Sequence, residues 1–202
     1  MKKTTGLFHD ELCLWHSTQG LFSLVLPVGS WVQPPPSAGL AESPESKRRA
    51  ISLLEVSGLS QQISVQSAPS ANEANLTTVH PTQYLKKFEK LSVSGGGEIG
   101  VFAPFGPGSY EIAKRSAGLA IEAVDSVLSG RFKNAYSMSR PPGHHCGRET
   151  PMGFCLLANV AIAIEVARKK YGLKKHGIND TFKSSFLVEN IALLETTILA
   201  NA

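Results

Sequence analysis

Between Ser109 and Gly130, small and apolar residues recur at helical spacing: Ile112, Ala113, Ala117, Ala120, Ile121, Val124 and Leu128. This stripe narrows the fold more than any other stretch. Residues three and four apart share a helix face, and alanines at 113, 117 and 120 leave little bulk there. The stripe predicts a helix packed closely on a sheet, capped by Ser109 and ended by Gly130. Ala135-Tyr136-Ser137-Met138 follows and reads as a short buried strand.

The alternation extends along the chain. Ser43 caps a helix that has Pro44 at its first position and Glu45 at its positive end. Ala50, Ile51, Leu53 and Leu54 form its apolar face, and Gly58 ends it. Ile63-Ser64-Val65 reads as a short strand. His80-Pro81-Thr82-Gln83-Tyr84 opens a helix running to about Leu91. A further helix spans roughly Leu157 to Tyr171. Gly172 stops it, and Arg168, Lys169 and Lys170 complement its negative end. Gly95-Gly96-Gly97 is a hinge, lacking the GK[ST] ending of a phosphate loop. Gln33-Pro34-Pro35-Pro36-Ser37 is a stiff linker or extended loop. Helices alternating with short apolar strands predict an α/β layered domain with a mainly parallel sheet.

The 202 residues suffice for one domain with a core. The net charge of +4 gathers mostly at Lys47-Arg48-Arg49 and from Arg168 to Lys175, with little aromatic interleaving. Both runs read as solvated faces rather than a nucleic-acid surface. Cys13, Cys146 and Cys155 include no CxxC pair, which argues against a disulfide framework. A reducing intracellular setting follows as the expectation: nucleus, cytoplasm or an organelle. Leu21 to Val28 is the longest apolar run, cut short by Pro27 and Gly29, so no membrane span is expected. His9, Asp10 and Glu11 argue against a secretory signal after Lys2-Lys3.

In open α/β sheets, function gathers in loops at the strand C-terminal ends. The strand ending near Ser139 leads into Arg140-Pro141-Pro142-Gly143-His144-His145. Adjacent side chains diverge on a strand and on a helix alike. Two neighbouring imidazoles share a site only if the backbone turns unusually, and Pro141-Pro142-Gly143 supplies a stiff arm followed by a permissive residue. Histidine suits proton transfer near neutral pH. One ring can take a proton from water while its neighbour holds charge or orients a substrate. An incidental surface pair and a partial metal site are the competing readings. Gly147 and Gly153 bracket a flexible segment, and Phe154 offers an aromatic wall. Cys155 reads as a small buried residue rather than a nucleophile.

Ser139-Arg-Pro-Pro-Gly-His-His, Met152-Gly-Phe-Cys155 and Asn159-Val-Ala-Ile-Ala163 resemble, in that order, sequences of the zinc-dependent histone deacetylase and acetylpolyamine amidohydrolase family. Leu14-Trp15-His16, Trp31-Val-Gln-Pro34, Pro44-Glu-Ser-Lys-Arg-Arg49, Val79-His-Pro81 and Pro104-Phe-Gly-Pro-Gly-Ser-Tyr110 are similar to its bacterial and plant branch. The match covers roughly residues 6–173, between an extension at 1–5 and a divergent tail at 174–202. The resemblance implies an incomplete arginase/deacetylase-like three-layer fold. It also implies a zinc hydrolase acting on acetyl-lysine or acetylated polyamines, with zinc polarising the amide carbonyl and activating water. His144 and His145 would be the tandem general base and acid. Gly153 and Phe154 would line a tunnel for the acyl-lysine stem, with Phe105 a further contributor.

The family's metal ligands follow the last helix, in an apolar strand running into Asp-x-Asp-x-His-His-Gly. Here the chain reads Gly172-Leu-Lys-Lys-His-Gly-Ile-Asn-Asp-Thr-Phe182. His176 matches the second histidine of that motif, which is not a ligand, so no metal ligand is assigned. A catalytic zinc normally needs three protein ligands, so the chain as it stands is expected to be inactive. The alternative is a non-catalytic or truncated form pairing with another chain across an uncovered sheet edge. In the tail, Phe186, Leu187, Ile191, Leu194 and Ile198 fit one amphipathic helix, or the tail itself covers that edge.

Overall fold

A computed structural model describes residues 3–18 and 42–173, with the backbone alone at 27–28, 31–32 and 191–194. The chain opens with β1 (Thr5–His9) and a 3-10 turn at Glu11–Trp15. β2 (Pro27–Val28) and β3 (Trp31–Val32) pair antiparallel. Then come α1 (Pro44–Val56), β4 (Ser64–Gln66), α2 (Glu73–Leu76) and α3 (Thr82–Val93). β5 (Gly97–Glu98) and β6 (Pro104–Phe105) form a two-residue ladder before α4 (Ser109–Leu128). β7 (Asn134–Met138), α5 (Asn159–Tyr171) and β8 (Ile191–Leu194) complete the order.

The main sheet runs β4-β1-β7-β8. β1 pairs parallel with β4 and with β7, Leu7 lying opposite Val65 and Tyr136. The expected α/β architecture with a mainly parallel sheet is therefore present. β1 itself has no counterpart in the sequence reading. Its neighbours Leu7 and Phe8 point to opposite faces, yet both are buried. A strand covered on both sides shows no alternation to read.

β8 lies antiparallel on β7, with Met138 opposite Ile191 and Ala135 opposite Leu194. The amphipathic-helix reading of the tail fails at these positions, because a strand on an open edge satisfies backbone groups that β7 would otherwise leave bare. Phe186, Leu187 and Ile198 lie outside the described residues, as does the Pro34–Pro36 segment. The edge expected to await a partner chain carries a strand of this chain.

α4 forms as its spacing predicts, but its alanines face elsewhere. Ala113 and Ala117 join Phe88, Leu156 and Ile162 in one cluster. Ala120 packs with Ala163 and Ala167 of α5. The sheet side belongs to Leu119 and Ala123, with Phe8 and Ala135. A helix wedged between sheet and helix is apolar nearly all round, so periodicity alone does not say which stripe meets which partner. Gly108, in the left-handed region at φ 75°, takes the cap position in place of Ser109. The Ser109 hydroxyl lies 3.1 Å from His16 Nδ1 instead.

Lys47 departs from the solvated-face reading, being 3% exposed. The apolar face of α1 is only half covered, and Leu53 is exposed. α5 starts two residues late, because Leu156 and Leu157 are spent in the core before the helix turns.

Candidate active-site loop

The loop leaves the C-terminal end of β7 and is anchored before it reaches its histidines. Arg140 is 1% exposed. Its Nε and Nη2 donate to the two carboxylate oxygens of Glu42 at 2.7 and 2.6 Å. Nη2 also reaches the Glu42 carbonyl at 3.0 Å, and Nη1 the Leu14 carbonyl at 3.2 Å. A two-pronged ion pair uses the planar guanidinium fully. It ties the loop to the turn after β1 and to the start of α1.

One step on, the Pro141 carbonyl accepts from Ser116 Oγ at 2.8 Å and from Asn159 Nδ2 at 3.3 Å. The Ser116 and Ser139 hydroxyls lie 2.8 Å apart. α4 and α5 thus grip the proline arm from below. At Gly143, a Cβ would stand 2.5 Å from the Asn159 nitrogen, so only glycine lets the arm pass the start of α5.

Beyond it, the His144 and His145 rings lie 4.1 Å apart between centroids, tilted by 56°. Both residues are exposed. The His145 N–H donates to Cys155 Sγ at 3.3 Å, which folds the returning segment back on the pair. Gly153, at φ 54°, lies so near that a Cβ would meet His145 Cδ2 at 2.8 Å. Phe154 is half-buried, at φ 66°. Of the residues singled out in the sequence, His144, His145, Gly153 and Phe154 therefore come together.

Phe105 does not join them. It is wholly buried, its ring 4.9 Å from that of Phe88 in the core. The aromatic residue paired with the loop is Phe102, whose carbonyl accepts the Phe154 N–H at 2.7 Å, while Val101 accepts from Gly153 at 3.0 Å. Phe102 is 74% exposed. No periodicity marks it; its left-handed backbone at φ 52° and its pairing arise only in the fold.

Burial pushes the Cys155 thiol up to about 11 and the Cys146 thiol up to about 12. Neither is poised as a thiolate nucleophile. The arrangement offers two accessible imidazoles suited to passing a proton near neutral pH, beside a narrow glycine–phenylalanine wall. Among the described residues, no group of three or more His, Cys, Asp or Glu is placed to hold a metal ion. The described residues do not fit a zinc site.

A family model described as "Histone deacetylase domain" matches residues 40–181. The "Histone deacetylase-like amidohydrolase" of Pseudomonas aeruginosa is 56% identical over 180 residues, covering 89% of this chain and 47% of that protein. The human "Polyamine deacetylase HDAC10" is 35% identical over 140 residues, covering 66% of this chain and 21% of its own. Among solved structures, the HDA15 HD domain superposes with a TM-score of 0.68 at 27% identity, covering 83% of this chain and 44% of that one. The chain thus spans about half the length, or less, of these relatives.

Proposed function

The chain belongs to the histone deacetylase family, and on that premise we propose that it carries the proton-transfer half of an amide-hydrolase site for acetyl-lysine or acetylated polyamines. The observation that carries this reading is the tandem pair, two exposed imidazoles 4.1 Å apart beside Gly153 and Phe154. His144 and His145 act as general base and acid. Gly153 and Phe154 receive the aliphatic stem, which gains apolar contact while only the amide reaches polar groups. The names of the relatives support an acetylated amine as substrate.

The family is generally zinc-dependent, and the described donor set of this chain does not fit the metal. We therefore take the chain by itself to be silent in hydrolysis. The test is zinc content of the purified chain, together with hydrolysis of an acetyl-lysine peptide and of an acetylated polyamine. Neither stoichiometric zinc nor turnover is expected. Zinc at one per chain, with turnover abolished by His145→Ala, would overturn that reading.

A second reading, a non-catalytic protein that pairs with another chain, draws on exposed apolar residues. Val101, Phe102 and Met152 are 60%, 74% and 43% exposed, and Val101 and Met152 form a bridge beside the loop. Stable folding with a specific partner and without zinc favours it. Among the described residues no helix is long and apolar enough to cross a membrane. The free cysteines support an intracellular setting.

A further inference from the structure

His80 sits at the base of the returning limb of the loop, away from the tandem pair. It is 1% exposed. Its Nδ1 lies 2.7 Å from the Arg148 carbonyl oxygen. Its Nε2 accepts the Ala158 N–H at 2.9 Å. A carbonyl can only accept and a backbone N–H can only donate, so the two contacts together admit one form of the ring: neutral, with the proton on Nδ1. The other tautomer sets two lone pairs face to face at Arg148 and two N–H groups face to face at Ala158. The imidazolium keeps the Arg148 bond and loses the Ala158 one.

Arg148 and Ala158 bracket the segment that contains Gly153, Phe154 and Cys155. Cys155 Sγ in turn receives the His145 N–H. Tyr84 of α3 stacks on the imidazole at 5.1 Å and donates from its hydroxyl to the Leu156 carbonyl at 2.6 Å, so one side chain of α3 holds both the ring and the limb. We propose that His80 is the positioning residue of the tandem-histidine loop, clamping its returning limb to the start of α5 as the Nδ1–H tautomer and releasing it on protonation.

The groups facing the ring agree with this. From the loop comes Arg148, whose charge opposes a second cation, and Cys146 lies beside the Tyr84 hydroxyl. From α5 comes the Ala158 backbone N–H. Burial holds the His80 pKa below its ordinary value, partly offset by the Arg148 carbonyl bond. The clamp is therefore closed at neutral pH and opens on acidification. The inference concerns the loop's conformation and stands whether or not the chain turns over a substrate.

The test uses the full chain, first without substitution and then as one variant. NMR of the His80 ring nitrogens reads the tautomer, and amide exchange over residues 148–158, corrected for intrinsic rate, reads the clamp across a pH series. The expected result is an unprotonated Nε2 at neutral pH. Exchange in that segment should then quicken about tenfold as His80 titrates, the effect of one buried hydrogen bond, while the centre of α4 stays protected. His80→Gln keeps an acceptor for Ala158 without titrating and should remove the pH step. An Nε2–H tautomer would overturn the proposal. So would exchange that does not change through the titration, or a ring that stays neutral until the whole chain unfolds.

Discussion

Breaking the Glu42–Arg140 pair from either side should cost more stability than any other single polar change in the described core. The Arg140 guanidinium is 1% exposed and its carboxylate partner 4%. Glu42→Ala removes both charge-assisted bonds, at 2.7 and 2.6 Å, and leaves the cation facing only the Leu14, Cys13 and Glu42 carbonyls. Breaking a buried pair from one side typically costs ~3–5 kcal/mol, because the surviving charge has no solvent to return to. Arg140→Met should cost a similar ~3–5 kcal/mol, since it strands a carboxylate and three carbonyls. The double variant, Arg140→Met with Glu42→Leu, leaves no bare charge. Its loss should fall short of the sum by about 2–4 kcal/mol, the coupling of groups that share one network. Urea unfolding followed by tryptophan fluorescence measures each term. At a slope of about 2 kcal/mol per molar, either single change moves the midpoint down by roughly 2 M. Single losses under about 1 kcal/mol, or strict additivity, would refute the reasoning and place the pair in effective contact with water.

Burial lowers the His16 pKa well below 6.5, reinforced by the Arg140 charge, and it also lowers that of His80. The unfolded chain therefore binds protons first as pH falls. The associated stability is fully present above about pH 6.5 and is lost as pH drops through the folded values; a urea midpoint that is flat or rising from pH 7.5 to 5 would contradict this. Gly143→Ala should destabilise by about 1–3 kcal/mol, because its Cβ meets backbone at 2.5 Å. Gly147→Ala, with nothing nearer than 3.6 Å, should stay within about 0.5 kcal/mol, and equal thermal shifts for the two would count against the packing described. With Cys155 pushed up to about 11 and Cys13 and Cys146 to about 12, alkylation of the native chain near neutral pH should run about a hundredfold slower than in urea. Rapid native labelling of any one of them would show a thiol less buried than it is here.

What can be read along the chain is what local chemistry decides. The Ser43 cap with Pro44, the spacing of α4, the apolar run of β7 and the stop at Gly172 are each set by neighbours within a few residues. The His144-His145 step, with its preceding prolines and glycine and its following Gly-Phe-Cys, was legible as a candidate site for the same reason. Contacts between distant segments were not. Nothing near Glu42 marks it as the partner of Arg140, nor does His80 announce that it bridges Arg148 and Ala158. Phe105 was the wall the sequence offered, yet packing on Phe88 puts it in the core, and Phe102, which nothing in the sequence marks, stands outside. The loop the sequence singled out is thus held in shape by groups as far as 127 residues away along the chain, as from Arg140 to Cys13. A residue's role depends on burial and on which donors and acceptors it meets, and those are settled only when the chain closes on itself.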